Sequence, residues 1–127
     1  MEDNYDNHPL DLSYLVEMVG HDPEFMIEIF ETFIEQTPFY VAELEDALYL
    51  KNLKKVADCA HKIKPTFTYV GRTDVREFVH TIERSARELV ELDTLPQRLK
   101  QLHQMLETIY IQIERSISEV RTKYNMS

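Results

Sequence analysis

The chain is predicted to be all-α, an antiparallel four-helix bundle with a short additional N-terminal helix, and three observations carry this. Only two of the 127 residues are glycine, tryptophan is absent, and Leu, Glu, Lys and Gln are plentiful, a composition that favours helix over sheet. Apolar residues recur every three or four positions in one segment after another. Helix stop and start signals separate these segments by short intervals, so successive helices pack most directly as antiparallel neighbours. The length suits one domain with one core.

Residues 1–9 are polar and acidic and are expected to be a flexible N-terminus, with a single domain over 10–124. A first short helix is expected over 10–19, where Leu12, Leu15, Val16 and Val19 keep helical spacing until Gly20 stops it. Asp22 then offers an N-cap, and Pro23 sits at the first helical position, where a missing N–H costs nothing. Phe25, Met26, Ile29, Phe30 and Phe33 form the apolar face of the second helix. Thr37-Pro38 interrupts it as either a kink or a fresh N-cap, after which Val41, Leu44 and Leu48 resume the stripe. The face is a core face first, and its margin is also available for docking.

The third helix begins near Asn52 and stops at Gly71. The fourth begins around Thr73-Asp74, carries Val75, Phe78, Val79, Ile82, Ala86 and Leu89, and fades near Asp93. Thr94 is expected to cap the last helix, whose stripe runs from Leu95 through Leu99, Leu102, Leu106, Ile109, Ile113 and Ile117 to Val120. Continuous, that helix measures about 45 Å at 1.5 Å per residue and is expected to outrun its neighbours.

Charge and composition exclude several classes. A net charge of −9 argues against nucleic acid, which needs a basic stripe. No apolar run reaches the roughly 20 residues of a membrane span, and "MEDNYDNHPL" lacks the basic and apolar regions of a secretory signal. Cys59 is the sole cysteine, so no disulfide framework exists, and a cytoplasmic protein is expected. At the edge of the third helix's core face, its thiol is read as buried and inert. His8, His21, His80 and His103 form no metal-ligand pattern, and His80 and His103 read as surface or boundary residues.

The segment "AHKIKPTFTYVG", residues 60–71, breaks a local rule. On a helical wheel Leu53, Val56, Ala60, Ile63, Phe67 and Val70 fall on one narrow stripe, which must face the core. His61 lies roughly 130° from the centre of that stripe and therefore points outward. Lys54, Ala57, Lys64, Pro65 and Thr68 share its patch, whereas Lys62 faces another way. Exposed histidines are commonly no more than solvated residues. Here small neighbours leave the ring accessible, and Lys64 can bring an ammonium beside it, which suits an arriving anion. Pro65 also deprives the His61 carbonyl of its helical N–H donor, at about 3 kcal/mol in an isolated helix. The proline reads either as a tolerated kink or as the mark of a functional place.

The spacing of Ala60-His61, Ile63, Lys64, a compact residue at 65 and Gly71 resembles the signature of histidine-containing phosphotransfer domains. The stretch "DLSYLVEMVGHDPEFMIEIFETFIEQTPFYVAELEDAL" resembles the first two helices of that family. "VREFVHTIERSARE", with Ile82-Glu83 and Ala86-Arg87, resembles its helix after the motif. Pro65 is a departure, because the family usually has glycine there to let a partner approach closely.

The resemblance implies a phosphorelay intermediate of two-component signalling, not an enzyme. His61 would accept a phosphoryl group from one receiver-domain aspartate and donate it to another. Such a role suits an imidazole, whose ordinary pKa near 6.5 leaves a free lone pair at neutral pH. Lys64 would offset phosphoryl charge, and Glu83 would hydrogen-bond the second ring nitrogen and fix the tautomer. Lys54, Ala57, Pro65 and Thr68 would form the docking face. No cofactor is implied, the magnesium ion belonging to the partner receiver. Implied partners are response-regulator receiver domains and a hybrid sensor kinase, met by a monomer. Two other readings are a helical adaptor that binds a receiver or kinase without being phosphorylated, and a metal-binding helical bundle.

Overall fold

A computed structural model describes residues 10–126, so the expectation for residues 1–9 lies outside the described residues. Its helices are α1 (Ser13–Val19), α2 (Pro23–Tyr49), α3 (Leu53–Tyr69), α4 (Thr73–Glu88) and α5 (Leu95–Lys123), with a 3-10 turn at Leu92–Thr94 before α5. No strand occurs among the described residues. Helices α2 to α5 form the bundle and α1 packs on α2 and α3. The first helix starts later than the expected position 10, because the Asp11 carboxylate binds the Ser13 backbone N–H ahead of it.

The caps are largely those expected. The Asp22 side chain accepts from the Phe25 N–H with Pro23 at the first helical position, and the Asn52 side chain accepts from the Lys55 N–H. Thr94 holds the N-cap position of α5 as expected, but its hydroxyl donates to the Glu91 carbonyl and accepts from Arg98 and makes no capping bond to the helix. Arg98 also bonds Ser85 Oγ and the Thr81 carbonyl, tying the start of α5 to α4.

Neither interior proline ends its helix. Pro38 lies within a continuous α2, which rejects the fresh N-cap. Thr37 beside it is fully buried, and its hydroxyl donates to the Phe33 carbonyl one turn back. With that proton committed, Tyr110 must donate its phenol to Thr37 Oγ1, at 2.9 Å, and this bond links α2 to α5. Burial pushes the Tyr110 phenol pKa up, with Thr37 opposing part of the shift. Pro65 likewise lies inside α3.

The core is one cluster. Val56, Ala60, Ile63, Phe67 and Val70 of the third-helix stripe are each no more than 1% exposed. Phe33 meets both Phe67 and Tyr110 edge-on, with ring centroids 5.9 and 6.0 Å apart, so one aromatic centre joins α2, α3 and α5. At 27 and 29 residues α2 and α5 match each other, while α3 and α4 have 17 and 16. The last helix therefore outruns two neighbours but not α2, to which Arg121 ties it through Glu31 at 3.2 Å.

The turn after α3 fixes where His61's helix ends. Gly71 has a left-handed φ of 71°, and a Cβ there would lie 1.8 Å from the Asp11 carbonyl oxygen. Only glycine meets both conditions. Arg72 follows, fully buried, with Nε and a terminal nitrogen each 3.0 Å from the Asp74 carboxylate and a further bond to Gln112 of α5. A buried guanidinium needs such partners, and here they lock the α3–α4 turn onto α5.

Candidate functional site

The outward face of α3 meets the second half of α4 at a buried carboxylate. Glu83 lies on the inner side of α4 with its side chain only 9% exposed. Its Oε2 stands 3.0 Å from His61 Nδ1 and 3.4 Å from Arg87 Nε. Its Oε1 stands 2.7 Å from Lys64 Nζ, an ion-pair contact that is the main compensation for an otherwise unbonded oxygen. Burial raises the Glu83 pKa, but Lys64, His61 and Arg87 together outweigh it and hold the carboxyl below the usual range. The group is therefore an anion at neutral pH.

An ionised carboxylate only accepts, so His61 Nδ1 must carry the proton and donate it. In the neutral ring that leaves Nε2 with the free lone pair, on a side chain that is 67% exposed. The seat depends on secondary structure on both sides: the core stripe of α3 sets the direction of His61, and Val79, Ile82 and Ala86, all buried, turn Glu83 inward.

The other residues of the expected patch divide. Lys64 reaches across to α4 and is only 12% exposed, held between Glu83 and His80. Pro65 is exposed beside His61, and Thr68 is half-buried. Ala57 is a correction. It is fully buried, at the floor of an α3–α4 hollow with Leu53 and Ala86, because α4 packs closely along that side of α3. Its size lets the helices approach, and it offers no docking surface of its own. Lys54 is exposed but engaged with Asp58 at 3.1 Å, one turn short of the imidazole. Arg87 joins Asp58 to Glu83, extending the charge chain along the groove. Lys62 faces α2, 4.9 Å above the Tyr40 ring and 3.5 Å from Glu43. Cys59 is buried, and burial raises its thiol pKa, so it is poorly nucleophilic.

Sequence reasoning missed His80 and Arg87 as members of this cluster. His80 Nδ1 lies 3.0 Å from Lys64 Nζ. An ammonium only donates, so this nitrogen accepts and the ring proton sits on Nε2. The spacing His80-x-x-Glu83-x-x-x-Arg87 puts all three on neighbouring turns of one helix face, and that signal was available.

Beside this cluster, on the α2 flank of α3, runs an open groove of about 410 Å³. Met18, Ile29, Phe33, Lys62, Thr66 and Tyr69 are among its lining residues. It is mostly apolar and adjoins the face that carries His61.

The fold and site together define a helical bundle that presents an oriented imidazole at its surface. Residues 28–110 match the Hpt domain family, about two thirds of the chain, and the chain belongs to that family. No curated protein and no solved structure matches it. Hpt domains are phosphocarrier modules of two-component signalling that interact with response-regulator receiver domains. No described helix is long and apolar enough to cross a membrane.

Proposed function

We propose that His61 is the phosphoacceptor of a phosphorelay, loaded by the receiver domain of a hybrid sensor kinase and discharged to a response-regulator receiver. The observation that supports this is the bond from His61 Nδ1 to buried Glu83, which makes Nε2 the nitrogen that carries the lone pair in the neutral ring. In the forward step the Nε2 lone pair attacks the phosphorus of an aspartyl phosphate. A P–N bond forms, the P–O bond to aspartate breaks, and the carboxylate leaves with the bonding pair. The ring becomes cationic while its Nδ1 proton stays on Glu83's side, where the carboxylate stabilises it. Transfer onward reverses these bond changes.

The chain's own contribution is orientation and charge, as phosphoryl transfer demands. Lys64 holds Glu83 as an anion and places positive charge next to the reacting ring. The receiver supplies the magnesium ion and the remaining catalytic groups. Its seat would be the face around His61, Pro65 and Thr68 together with the adjoining apolar groove. Proline at 65 is compact and has no N–H to satisfy, so it keeps the approach to the ring low.

The test is incubation with a phosphorylated receiver domain. Acid-labile, base-stable label is expected on the wild type and none on His61→Gln. Label that persists in the variant sinks the assignment, and a wild type that binds the receiver yet takes no label leaves a non-phosphorylated adaptor.

A further inference from the structure

The outer stripe of α2 takes no part in the phosphotransfer site, and its chemistry differs from the rest of the surface. Residues 1–50 contain thirteen Asp and Glu and no Lys or Arg, so all fourteen cations lie beyond residue 50 with the other ten carboxylates. Along α2, positions Glu35, Phe39, Ala42, Asp46 and Tyr49 follow alternating steps of four and three, and all are exposed. They form one line along the side of the helix opposite the core residues Phe33, Val41 and Leu44.

Two features single out this line. Phe39 and Tyr49 are 73% and 84% exposed, with Leu50 at 66%, a concentration of large apolar area on one helix face. Three acids on the flanks of α2 are engaged by other helices: Glu31 pairs with Arg121, Glu43 with Lys62, and Glu45 contacts the His103 ring. Among the described residues the Glu35 and Asp46 side chains have none. Beside Tyr49 a shallow hollow of about 480 Å³ separates α2 from α5, lined by Leu48, Pro96 and Leu99 together with Glu45, Lys100 and His103. Aromatic anchors ringed by unpaired carboxylates, with an apolar hollow alongside, suit a partner that is itself apolar and basic. The same charge repels nucleic acid and anionic lipid.

We propose that the outer stripe of α2, from Glu35 to Leu50, docks an amphipathic helix of a partner protein whose aliphatic seam is bordered by Lys or Arg. The seam covers Phe39 and Tyr49 and fills the hollow against Leu48 and Leu99. The basic borders pair with Glu35 and Asp46, and an arginine stacks on either exposed ring. This stripe faces away from Ile29 and Phe33, the α2 residues that line the groove beside His61, so it allows a second protein to be held while a receiver occupies the imidazole.

The experiment needs no phosphotransfer and therefore stands or falls apart from the function proposed above. The isotope-labelled full chain is titrated with a synthetic helical peptide carrying Leu at i, i+3, i+4 and i+7 and Lys or Arg at its borders, and with a counterpart in which Glu replaces the basic residues. Saturable amide shifts are expected across residues 35–50 and 96–103 with the basic peptide alone. Affinity is expected to fall about tenfold in the double variant Phe39→Ser with Tyr49→Ser, surface changes whose folding circular dichroism verifies, and to weaken with salt. Equal affinity in the double variant means a generic attraction to an acidic protein and overturns the proposal. So do shifts centred on the Lys62–Tyr69 groove. Peptide-independent shifts that grow with protein concentration, with a dimer in sedimentation, make a second copy the occupant and overturn it as well.

Discussion

His61 and His103 are both exposed imidazoles held by a carboxylate, yet they are held the opposite way round. Glu83 meets His61 at Nδ1, 3.0 Å away, whereas Glu45 meets His103 at Nε2, 2.8 Å away. The first contact ties the nitrogen nearest the backbone and frees the tip; the second ties the tip itself. The carboxylates differ too. Glu83 is 9% exposed and set among Lys64, Arg87 and His80, while Glu45 is 42% exposed and shares its contact with solvent. Under the proposed function, exposure beside an acid is insufficient for a phosphoacceptor. What matters is which nitrogen is occupied and how firmly the acid is held.

The largest expected effect breaks the comparison outright. His61→Gln abolishes labelling by a phosphorylated receiver, whereas His103→Gln leaves its rate within about twofold, since His103 lies outside the reacting geometry. Glu83→Ala comes next. Losing the group that orients the ring is expected to slow single-turnover transfer about 100-fold, with helix content retained, while Glu45→Ala changes little. Lys64→Ala removes one charge-assisted contact from Glu83 and is expected to cost about tenfold in the same assay, equivalent to about 1.4 kcal/mol. An unchanged rate would remove Lys64 from the mechanism.

The next effect is on stability. A carboxyl whose folded pKa lies below its unfolded value contributes stability that is present above the unfolded value and lost as pH falls through the folded one. Urea unfolding should thus show wild type losing its advantage over Glu83→Gln as pH drops below the ordinary glutamate range. A constant difference across that window would mean that Glu83 is not held as an anion. The smallest effect is Pro65→Gly, expected to keep transfer within about tenfold of wild type, because both residues are compact and lack a bulky side chain at the docking face. A complete loss would show that the proline itself positions the imidazole.

Much of the bundle could be read from the chain because burial imposes period and glycine or capping residues punctuate it. The stripe from Val56 to Val70 and the stop at Gly71 both came from such local rules. Pro38 could not be resolved that way, since its outcome depends on packing: Thr37, bonded to Phe33 within α2 and to Tyr110 of α5, holds α2 continuous past the proline. The site was legible to the extent that it lies along one helix. His61 and its outward direction follow from the wheel, whereas Ala57 was misplaced because the wheel does not say how closely α4 approaches. Lys64 was expected to face solvent and instead reaches Glu83 and His80 on the next helix, a pairing set by the register between α3 and α4. Contacts of that kind depend on how two helices meet, which no single-helix pattern contains.

In the proposed relay Glu83 occupies Nδ1 of His61 and leaves Nε2 as the nucleophile. It is tested most directly by loading the full chain from a phosphorylated receiver and locating the phosphoryl group by nuclear magnetic resonance of the labelled imidazoles. Phosphorus is expected on Nε2 of His61, with the proton retained on Nδ1. Phosphorus on Nδ1 of His61, or on His80 or His103, would contradict it.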